Sequence, residues 1–281
     1  MKKTTEPVAS HTWLKIGGPS EIAIPENRSE LVDVLLECHK ENRTYRILGN
    51  GSNLLVSDDG IDELVIKTTE ACTNLQFDGN SVSAGTSVMV PQFINGCVQH
   101  GLGGYEYLYS VPGTIGGAIY MNAGRGAAHD QTISDHLISV EVFAEGETKE
   151  VPAEDLDFDH RYSSFQEHED WVILNATFNL PSQPQKDGRE KTQKRMQKVK
   201  QRERSKPNAG SVFKFGARLP LQKVPPNGLS VGDARFVQQN RICNDGDATF
   251  RDVDRLLSLA KSLNKLVPPF SSPEVEWEVW K

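Results

Sequence analysis

The sequence predicts a layered domain of β-strands and α-helices, of the α+β or α/β class. Short β-branched and apolar runs recur along the first two thirds of the chain, and apolar residues on a helical period separate several of them. The chain opens in the order strand, helix, strand. Alternation of this kind is typical of domains in which helices pack on a sheet.

The first helix is predicted over residues 29–39, where apolar side chains repeat on a helical period after a possible cap at Ser29. A second helix is predicted over 90–100 and ends at Gly101. Short strands or strand ends are predicted at 64–66, 81–84, 88–90, 138–143 and 171–180. The first structural unit therefore ends near Leu180.

Residues 182–208 are rich in Lys, Arg and Gln and predict a solvated helix between two units. A nucleic-acid-binding interpretation is disfavoured, because acidic residues interrupt the run and no aromatic residues interleave. Beyond it, 252–263 is an amphipathic helix that Thr249 can cap. The tail, 273–280, alternates acidic and apolar side chains and predicts a strand with one buried face.

A polar turn over residues 49–53 interrupts two apolar runs, Tyr45–Leu48 and Leu54–Val56. Its two glycines permit positive φ, and Asn50, Ser52 and Asn53 add short donors, a combination typical of an anion-binding nest. An Asn-Gly pair between apolar runs is also a strong hairpin signal. At this level the hairpin and the ligand site are both open.

A second glycine-rich tract covers 113–118 and leads into 119–124. Its small residues allow a flat or phosphorylated ligand to approach the backbone. The two tracts are far enough apart in sequence to form two walls of one groove. Neither has the Rossmann or P-loop signature, so any dinucleotide site belongs to a different fold.

Composition describes an ordinary globular protein of 281 residues with a formal charge of -7. The charge argues against broad attraction to nucleic acid or anionic membranes. The sequence has no apolar run of membrane-spanning length and no apolar block near Met1, so we expect a cytosolic protein. The four cysteines lack metal-binding spacing and are expected to be buried thiols. The histidines, including His129, His136, His160 and His168, also lack metal spacing and are expected to be structural or exposed.

Four side chains are candidates for chemistry on local context. Arg161 can clamp a carboxylate, or it can pair with a nearby aspartate on the surface. Ser211 is either a turn former or a proton donor, with Lys214 beside it as a phosphate-binding point charge. For Glu278, the alternation of the tail favours the solvent face of the strand.

The motifs occur in a specific order: HTWLKIGGP from His11, then LGNGSNLLVSDDG, VPGTIGGAIYMNAG, HRYSSF, AGSVFK and the closing EWEVW. This ordered set resembles the family of UDP-N-acetylenolpyruvoylglucosamine reductases, also called UDP-N-acetylmuramate dehydrogenases, over nearly the whole chain. The compact ending at Lys281 resembles the shorter subclass, which lacks a tyrosine-bearing insertion.

The resemblance implies an α+β protein with an FAD-binding fold of the vanillyl-alcohol-oxidase (PCMH) type over 1–181. A basic helical linker over 182–208 and a smaller C-terminal α/β substrate-binding domain over 209–281 follow. It implies a cytoplasmic flavoprotein oxidoreductase that uses bound FAD and the co-substrate NADPH to reduce UDP-N-acetylenolpyruvoylglucosamine to UDP-N-acetylmuramate in peptidoglycan precursor synthesis. The implied partner is the UDP-sugar substrate, with no metal, nucleic acid, membrane or obligate protein partner.

By motif matching, Arg161 falls on the arginine that holds the substrate carboxylate, Ser211 on the proton donor and Glu278 on the glutamate that orders this network. Lys214 joins Arg161 in binding substrate. The residues that fall on FAD-binding segments are Gly49, Asn50, Gly51, Ser52, Asn53, Leu54, Pro112, Gly113, Thr114, Gly116, Gly117, Ala118, Asn122, Ala123 and Gly124.

The chain departs from the family pattern at three places. His160 stands where Tyr is common, Phe215 stands where Asn is common, and the usual His-Ala-Asn-Phe core of a later segment is replaced by residues 238–241, QQNR. Two alternatives follow: a flavin-dependent paralogue acting on another carboxylated enol, and a non-catalytic nucleotide-binding relative.

Overall fold

The computed structural model describes residues 1–124, 131–168, 170–200, 206–238 and 240–281. Within these residues the α-helices are α1 (Arg28–Glu41), α2 (Val90–Gln99), α3 (Ile115–Tyr120), α4 (Gln185–Lys200) and α5 (Phe250–Asn264). The strands are β1 (Lys2–Pro7), β2 (Pro19–Ile24), β3 (Tyr45–Leu48), β4 (Leu54–Val56), β5 (Leu64–Lys67), β6 (Leu75–Asp78), β7 (Ser81–Gly85), β8 (Leu137–Ala144), β9 (Glu147–Pro152), β10 (Phe158–Asp159), β11 (Tyr162–Ser163), β12 (Val172–Asn179), β13 (Ser230–Val231), β14 (Ala234–Gln238), β15 (Arg241–Asn244) and β16 (Glu278–Trp280). This mixture of helices with separate parallel and antiparallel sheets confirms the predicted α+β class.

The chain divides into two compact units, each built from several stretches. The first unit contains Met1–Lys3, Ile22–Asn50 and Leu64–Arg204. The second unit contains Thr4–Glu21, Gly51–Glu63 and Ser205–Lys281. The division into domains 1–181 and 209–281 with a linker between them stays a prediction.

In the first unit, α1 packs on the parallel strands β2, β5 and β3, of which β5 pairs with both of the others. Leu31 and Leu35 of α1 are fully buried in its core. The helix begins earlier than predicted, because the side chain of Asn27 accepts a hydrogen bond of 3.0 Å from Glu30 N. Asn27, rather than Ser29, is therefore the N-cap.

The second sheet of the first unit is antiparallel, with the order β6-β7-β12-β8-β9. Helices α2 and α3 contribute to its core, where the rings of Phe93 and Phe178 lie 5.1 Å apart. The strand predicted at 88–90 is reduced to a single bridge between Met89 and Thr114, because Val90 already begins α2.

Helix α4 is the helix predicted in the basic segment, and most of its described side chains are exposed. Polar contacts connect it to the rest of the first unit. Arg195 Nε donates to Ser110 Oγ at 2.9 Å, and Lys191 Nζ lies 3.8 Å from the carboxylate of the buried Glu106.

In the second unit, the sheet β13-β14-β15 is antiparallel, while β16 pairs in parallel with β4. Helix α5 packs its apolar face into the core of this unit, as predicted. Thr249 and Asp252 form a capping box at its N-terminus, and Asp58 Oδ1 accepts from Phe250 N at 2.7 Å.

The tail differs from the single alternating strand that was predicted. Val275 bridges Phe213 in antiparallel sense, and only then does the chain join β4 as β16. Because the partner changes, the alternation changes phase, so Trp277 and Trp280 are buried while Val279 is 38% exposed.

Two expectations about side chains concern chemistry. All four cysteines are free and buried, as predicted, and burial raises the pKa of Cys72 to about 11. His136 packs edge-on against Tyr105 and His168 stacks on Trp171, whereas His129 lies outside the described residues.

In the described part of the chain, no helix has the length and apolar content needed to cross a membrane.

Candidate functional site

The two glycine-rich tracts meet in the first unit. Asn50 Nδ2 donates a hydrogen bond of 2.5 Å to the carbonyl oxygen of Pro112. A Cβ atom added to Gly49 would lie 3.1 Å from Thr114 Oγ1, which shows how closely the tracts approach. The turn after β3 does not close a hairpin, because β3 pairs with β5 whereas β4 pairs with β16. The hairpin interpretation is therefore wrong.

Helix α3 presents bare backbone at its start. Thr114 is its N-cap, and Thr114 Oγ1 accepts from Gly117 N at 3.3 Å. Gly116 faces inward, where an added Cβ would lie only 1.8 Å from Thr86 Oγ1. Gly117 is exposed, and an added Cβ would meet nothing nearer than Thr114 Oγ1 at 3.6 Å. A ligand can thus approach the main chain at Gly117.

The rest of the turn, from Gly51 onward, belongs to the second unit. Gly51 has a φ of +61°, and an added Cβ would lie 2.2 Å from His11 O, so this position requires glycine. Within the described residues, the N–H groups of Gly51 and Ser52 donate no hydrogen bond. Asn53 instead holds the tail, donating from Nδ2 to Glu276 O at 3.1 Å. Gly51 and Ser52 thus offer donors to a ligand, while the Asn53 side chain is committed to the fold.

Arg161 occupies the tip of the hairpin β10-β11, in a two-residue turn with His160. Its φ is +58°, a conformation that usually belongs to Gly or Asn in such turns. A long charged side chain at this position is a strained choice, and such strain clusters at functional sites.

Three side chains, those of Arg161, Asn122 and Gln166, connect this hairpin to the second glycine tract. Arg161 Nη2 donates to Gly124 O at 3.1 Å, and Asn122 Nδ2 donates to Asp159 O at 2.9 Å. Gln166 Nε2 donates both to Arg161 O at 3.2 Å and to Tyr120 O at 2.9 Å. The first unit therefore assembles one polar site from the end of α3 and the Arg161 turn.

Asn122 is the buried member of this site, at 3% exposure and a φ of +40°. Its Oδ1 atom is buried and has no hydrogen-bond partner among the described residues. A buried acceptor without a partner is unfavourable by about 1–3 kcal/mol, so it points to a donor on a bound group.

In the second unit, Ser211 begins a segment that pairs with the tail. Glu276 N donates to Val212 O at 2.8 Å, and Lys214 N donates to Glu274 O at 3.1 Å. Lys214 Nζ also forms an ion pair of 2.6 Å with the Glu274 carboxylate. The predicted phosphate-binding cation is thus neutralised locally by an exposed acid.

Glu278 is the first residue of β16, and its backbone N–H donates to Asn53 O at 3.1 Å. The side chain is half-buried, whereas Val279 is exposed. The expectation that alternation places Glu278 on the solvent face is therefore wrong, because the phase of the tail changes before it.

The predicted site residues fall into two groups. The first unit brings together Gly49, Asn50, residues 112–118, residues 122–124 and Arg161. The second unit holds residues 51–54, Ser211, Lys214 and Glu278 along one set of paired segments. Gln166 and Asn240 are not among the predicted site residues, yet their side chains bind backbone groups distant in sequence, at Tyr120 and at Phe213. No local sequence pattern predicts such long-range hydrogen bonds.

Comparisons with known proteins give a consistent result. Residues 19–151 match a family model described as an FAD binding domain. The chain is 34% identical to the UDP-N-acetylenolpyruvoylglucosamine reductase of Caldanaerobacter subterraneus subsp. tengcongensis, over 93% of this chain and 87% of the relative. It is 36% identical to the enzyme of the same name from Bacillus velezensis, over 91% of this chain and 86% of the relative. The crystal structure of the UDP-N-acetylenolpyruvylglucosamine reductase from Thermus caldophilus superimposes with a TM-score of 0.81 at 30% identity, covering 100% of both chains.

Proposed function

Because the chain belongs to the family of UDP-N-acetylenolpyruvoylglucosamine reductases, we propose that it reduces UDP-N-acetylenolpyruvoylglucosamine to UDP-N-acetylmuramate with NADPH. The match to the FAD binding domain confirms the predicted fold type and FAD as the cofactor. One structural observation carries the proposal: the strained Arg161 turn is bonded to the glycine tract that follows α3. The product is a peptidoglycan precursor, and we propose the cytoplasm as the location.

The residues present fit FAD. In the first unit, Gly117 offers open backbone and the Asn122 Oδ1 atom is a buried acceptor. In the second unit, the N–H groups of Gly51 and Ser52 are available as donors. We propose that FAD is held by residues 49–54, 112–118 and 122–124, within which the Asn53 side chain supports the fold. When bound, FAD supplies the hydride for the enolpyruvyl group.

Arg161 is proposed to bind the carboxylate of the enolpyruvyl group. A guanidinium stays charged at any accessible pH and can donate two parallel hydrogen bonds to a carboxylate. Its position on a short hairpin, tied down through Gln166 and Asn122, supports this role because a fixed cation stabilises the negative charge that develops beside it.

Ser211 is proposed to donate the proton to the carbon next to that carboxylate, and Glu278 to order the carboxylate and serine network. A serine hydroxyl is a weak acid, so it suits only a strongly basic carbon. Lys214 is proposed to bind the substrate diphosphate as a point charge. Since Glu274 occupies its ammonium group at 2.6 Å, the phosphate must displace an exposed carboxylate.

The proposed partner is the UDP-sugar alone, without nucleic acid, membrane or an obligate protein. Neither alternative is favoured, the paralogue for another enol or the non-catalytic relative, because relatives of the same name align over more than nine tenths of the chain.

Anaerobic half-reactions test the proposal. NADPH added to the yellow protein should bleach the flavin, and the enolpyruvyl sugar nucleotide should then restore the colour. Bleaching without recovery would overturn the proposed substrate. A protein that cannot take up FAD would support the non-catalytic relative instead.

A further inference from the structure

We propose that Asn240 is a positioning residue for Ser211, and that it fixes the backbone from which the serine hydroxyl delivers its proton. This inference rests on the proposed function. It concerns the segment between β14 and β15, in which Asn240 lies.

Asn240 binds the two residues that follow Ser211. Its Oδ1 atom accepts from Phe213 N at 2.9 Å, and its Nδ2 atom donates to Phe213 O at 2.8 Å. Its own carbonyl oxygen accepts from Val212 N at 3.0 Å. One residue thus satisfies three main-chain groups directly after the proposed proton donor. These three hydrogen bonds form the Asn240 clamp.

The opposite edge of the same segment is held by the tail, through Glu276 N to Val212 O at 2.8 Å. Upstream, Gly210 has a φ of +77°, and its N–H donates to Asn208 Oδ1 at 3.1 Å. Ser211 therefore lies between anchored neighbours. Its hydroxyl is placed mainly by rotation about one side-chain bond, so loss of either anchor would let it drift from its target.

The geometry requires an asparagine. A carboxamide carries a donor and an acceptor in one plane and so copies a peptide group. Aspartate keeps the acceptor for Phe213 N but places a negative oxygen against Phe213 O, which it can no longer bind. The substitution Asn240→Asp therefore removes one bond of the clamp with little change in size.

The test compares Asn240→Asp with Asn227→Asp, the same charge change at an exposed asparagine. Reduction of the flavin by NADPH and FAD content should match wild type in both variants. In Asn240→Asp, reoxidation by the enolpyruvyl sugar nucleotide should slow about 10–100-fold, and its solvent deuterium isotope effect should exceed that of wild type. Wild-type reoxidation, an unchanged isotope effect, or an equal loss of flavin reduction would overturn the proposal.

Backbone hydrogen exchange gives a readout that does not require turnover. Peptides covering 206–216 should exchange faster in Asn240→Asp than in wild type or Asn227→Asp, while α5 stays protected. Unchanged exchange would overturn the clamp. If wild-type protein shows this protection but never reoxidises, the proposed function fails and the role of Asn240 as a proton-donor support falls with it.

Discussion

Arg161 Nη2 donates a hydrogen bond of 3.1 Å to the carbonyl oxygen of Gly124, from a residue whose φ is +58°. The backbone conformation is unfavourable by on the order of 1 kcal/mol for a residue of this type. The fold keeps it through the bonds that Gln166 and Asn122 make to the same hairpin. A turn of this kind is more favourable with glycine or asparagine, which supports the proposed role of the guanidinium.

The substitution Arg161→Asn separates the two roles of this residue. Asparagine tolerates positive φ, so the turn should persist and the free energy of unfolding should change by less than about 1 kcal/mol. Without the guanidinium, reoxidation of the reduced flavin by the enolpyruvyl substrate should fall by about 10²–10³-fold. Stopped-flow absorbance and urea unfolding measure the two quantities.

Arg255→Asn on the exposed side of α5 is the matched control: it should leave the rate of reoxidation unchanged and lower the free energy of unfolding by less than about 1 kcal/mol, through helix propensity alone. Rapid reoxidation in Arg161→Asn would rule out the proposed carboxylate contact. A collapse of FAD binding in that variant would show that the residue supports the cofactor instead.

Two adjacent glycines of α3 distinguish packing from ligand approach. In Gly116→Ala the new methyl group meets Thr86 Oγ1 at 1.8 Å, so we expect a loss of about 1–3 kcal/mol in the stability of the FAD-free protein. In Gly117→Ala the methyl group is exposed, and alanine should stabilise the helix by about 0.5–1 kcal/mol.

In Gly117→Ala, FAD affinity and the stability of the apoprotein should change in opposite directions. If the cofactor lies against this backbone, Gly117→Ala should weaken FAD binding at least tenfold while the apoprotein becomes more stable, as measured by fluorescence titration and urea unfolding. Exposed Gly79→Ala is the control for FAD binding only, because nothing lies within 4 Å of the added Cβ but its φ of +56° makes alanine strained. Unaltered affinity in Gly117→Ala would remove this face from the FAD site.

Local patterns predicted those elements whose causes are local. Helix α5 and its Thr249 cap follow from a capping box and an apolar period inside one segment. The cap of α1 was misplaced because Asn27 and Ser29 are both able to cap, and the choice depends on the full turn that follows.

Long-range pairing decided the rest. An Asn-Gly turn fits a hairpin and a crossing between sheets equally well, and only the pairing of β3 with β5 and of β4 with β16 distinguishes them. The tail likewise changes phase because it meets Phe213 and then β4. In the same way, the Asn240 clamp joins residues 27 positions apart, which no periodicity reveals.

Removal of the Thr249 cap should have a small, defined effect on the second unit. Thr249 Oγ1 accepts from Asp252 N at 3.1 Å, but Asp58 Oδ1 still accepts from Phe250 N at 2.7 Å. We therefore expect Thr249→Ala to lower the free energy of urea unfolding by about 0.5–1 kcal/mol, the lower part of the range for caps. Ser262→Ala near the other end of α5 is the control. If Asp58 also caps this helix, Asp58→Ala should lower the free energy of unfolding more in the Thr249→Ala background than in wild type. Simple additivity of the two losses would refute this joint capping.

Asp245 predicts how the second unit responds to acid. Its carboxylate accepts from Arg235 Nε at 2.6 Å, from Arg235 Nη2 at 3.1 Å and from Lys206 Nζ at 2.6 Å. Hydrogen bonding to Arg235, with a smaller contribution from Lys206, lowers the pKa of Asp245 below its ordinary value of 3.8.

A carboxyl group whose pKa is lower in the folded state stabilises the protein fully above its unfolded pKa, and this stabilisation disappears as the pH falls through the folded pKa. Wild type should therefore have a higher free energy of unfolding than Asp245→Asn. The difference should be constant at pH values well above 3.8, the ordinary pKa of the group, and should shrink as the pH falls below it. Urea unfolding at a series of pH values measures it, with exposed Asp247→Asn as the control. A difference that persists undiminished to the most acidic pH would show that Asp245 acts through packing or neutral hydrogen bonds, because only the ionised carboxylate attracts Arg235 and Lys206 as an ion pair.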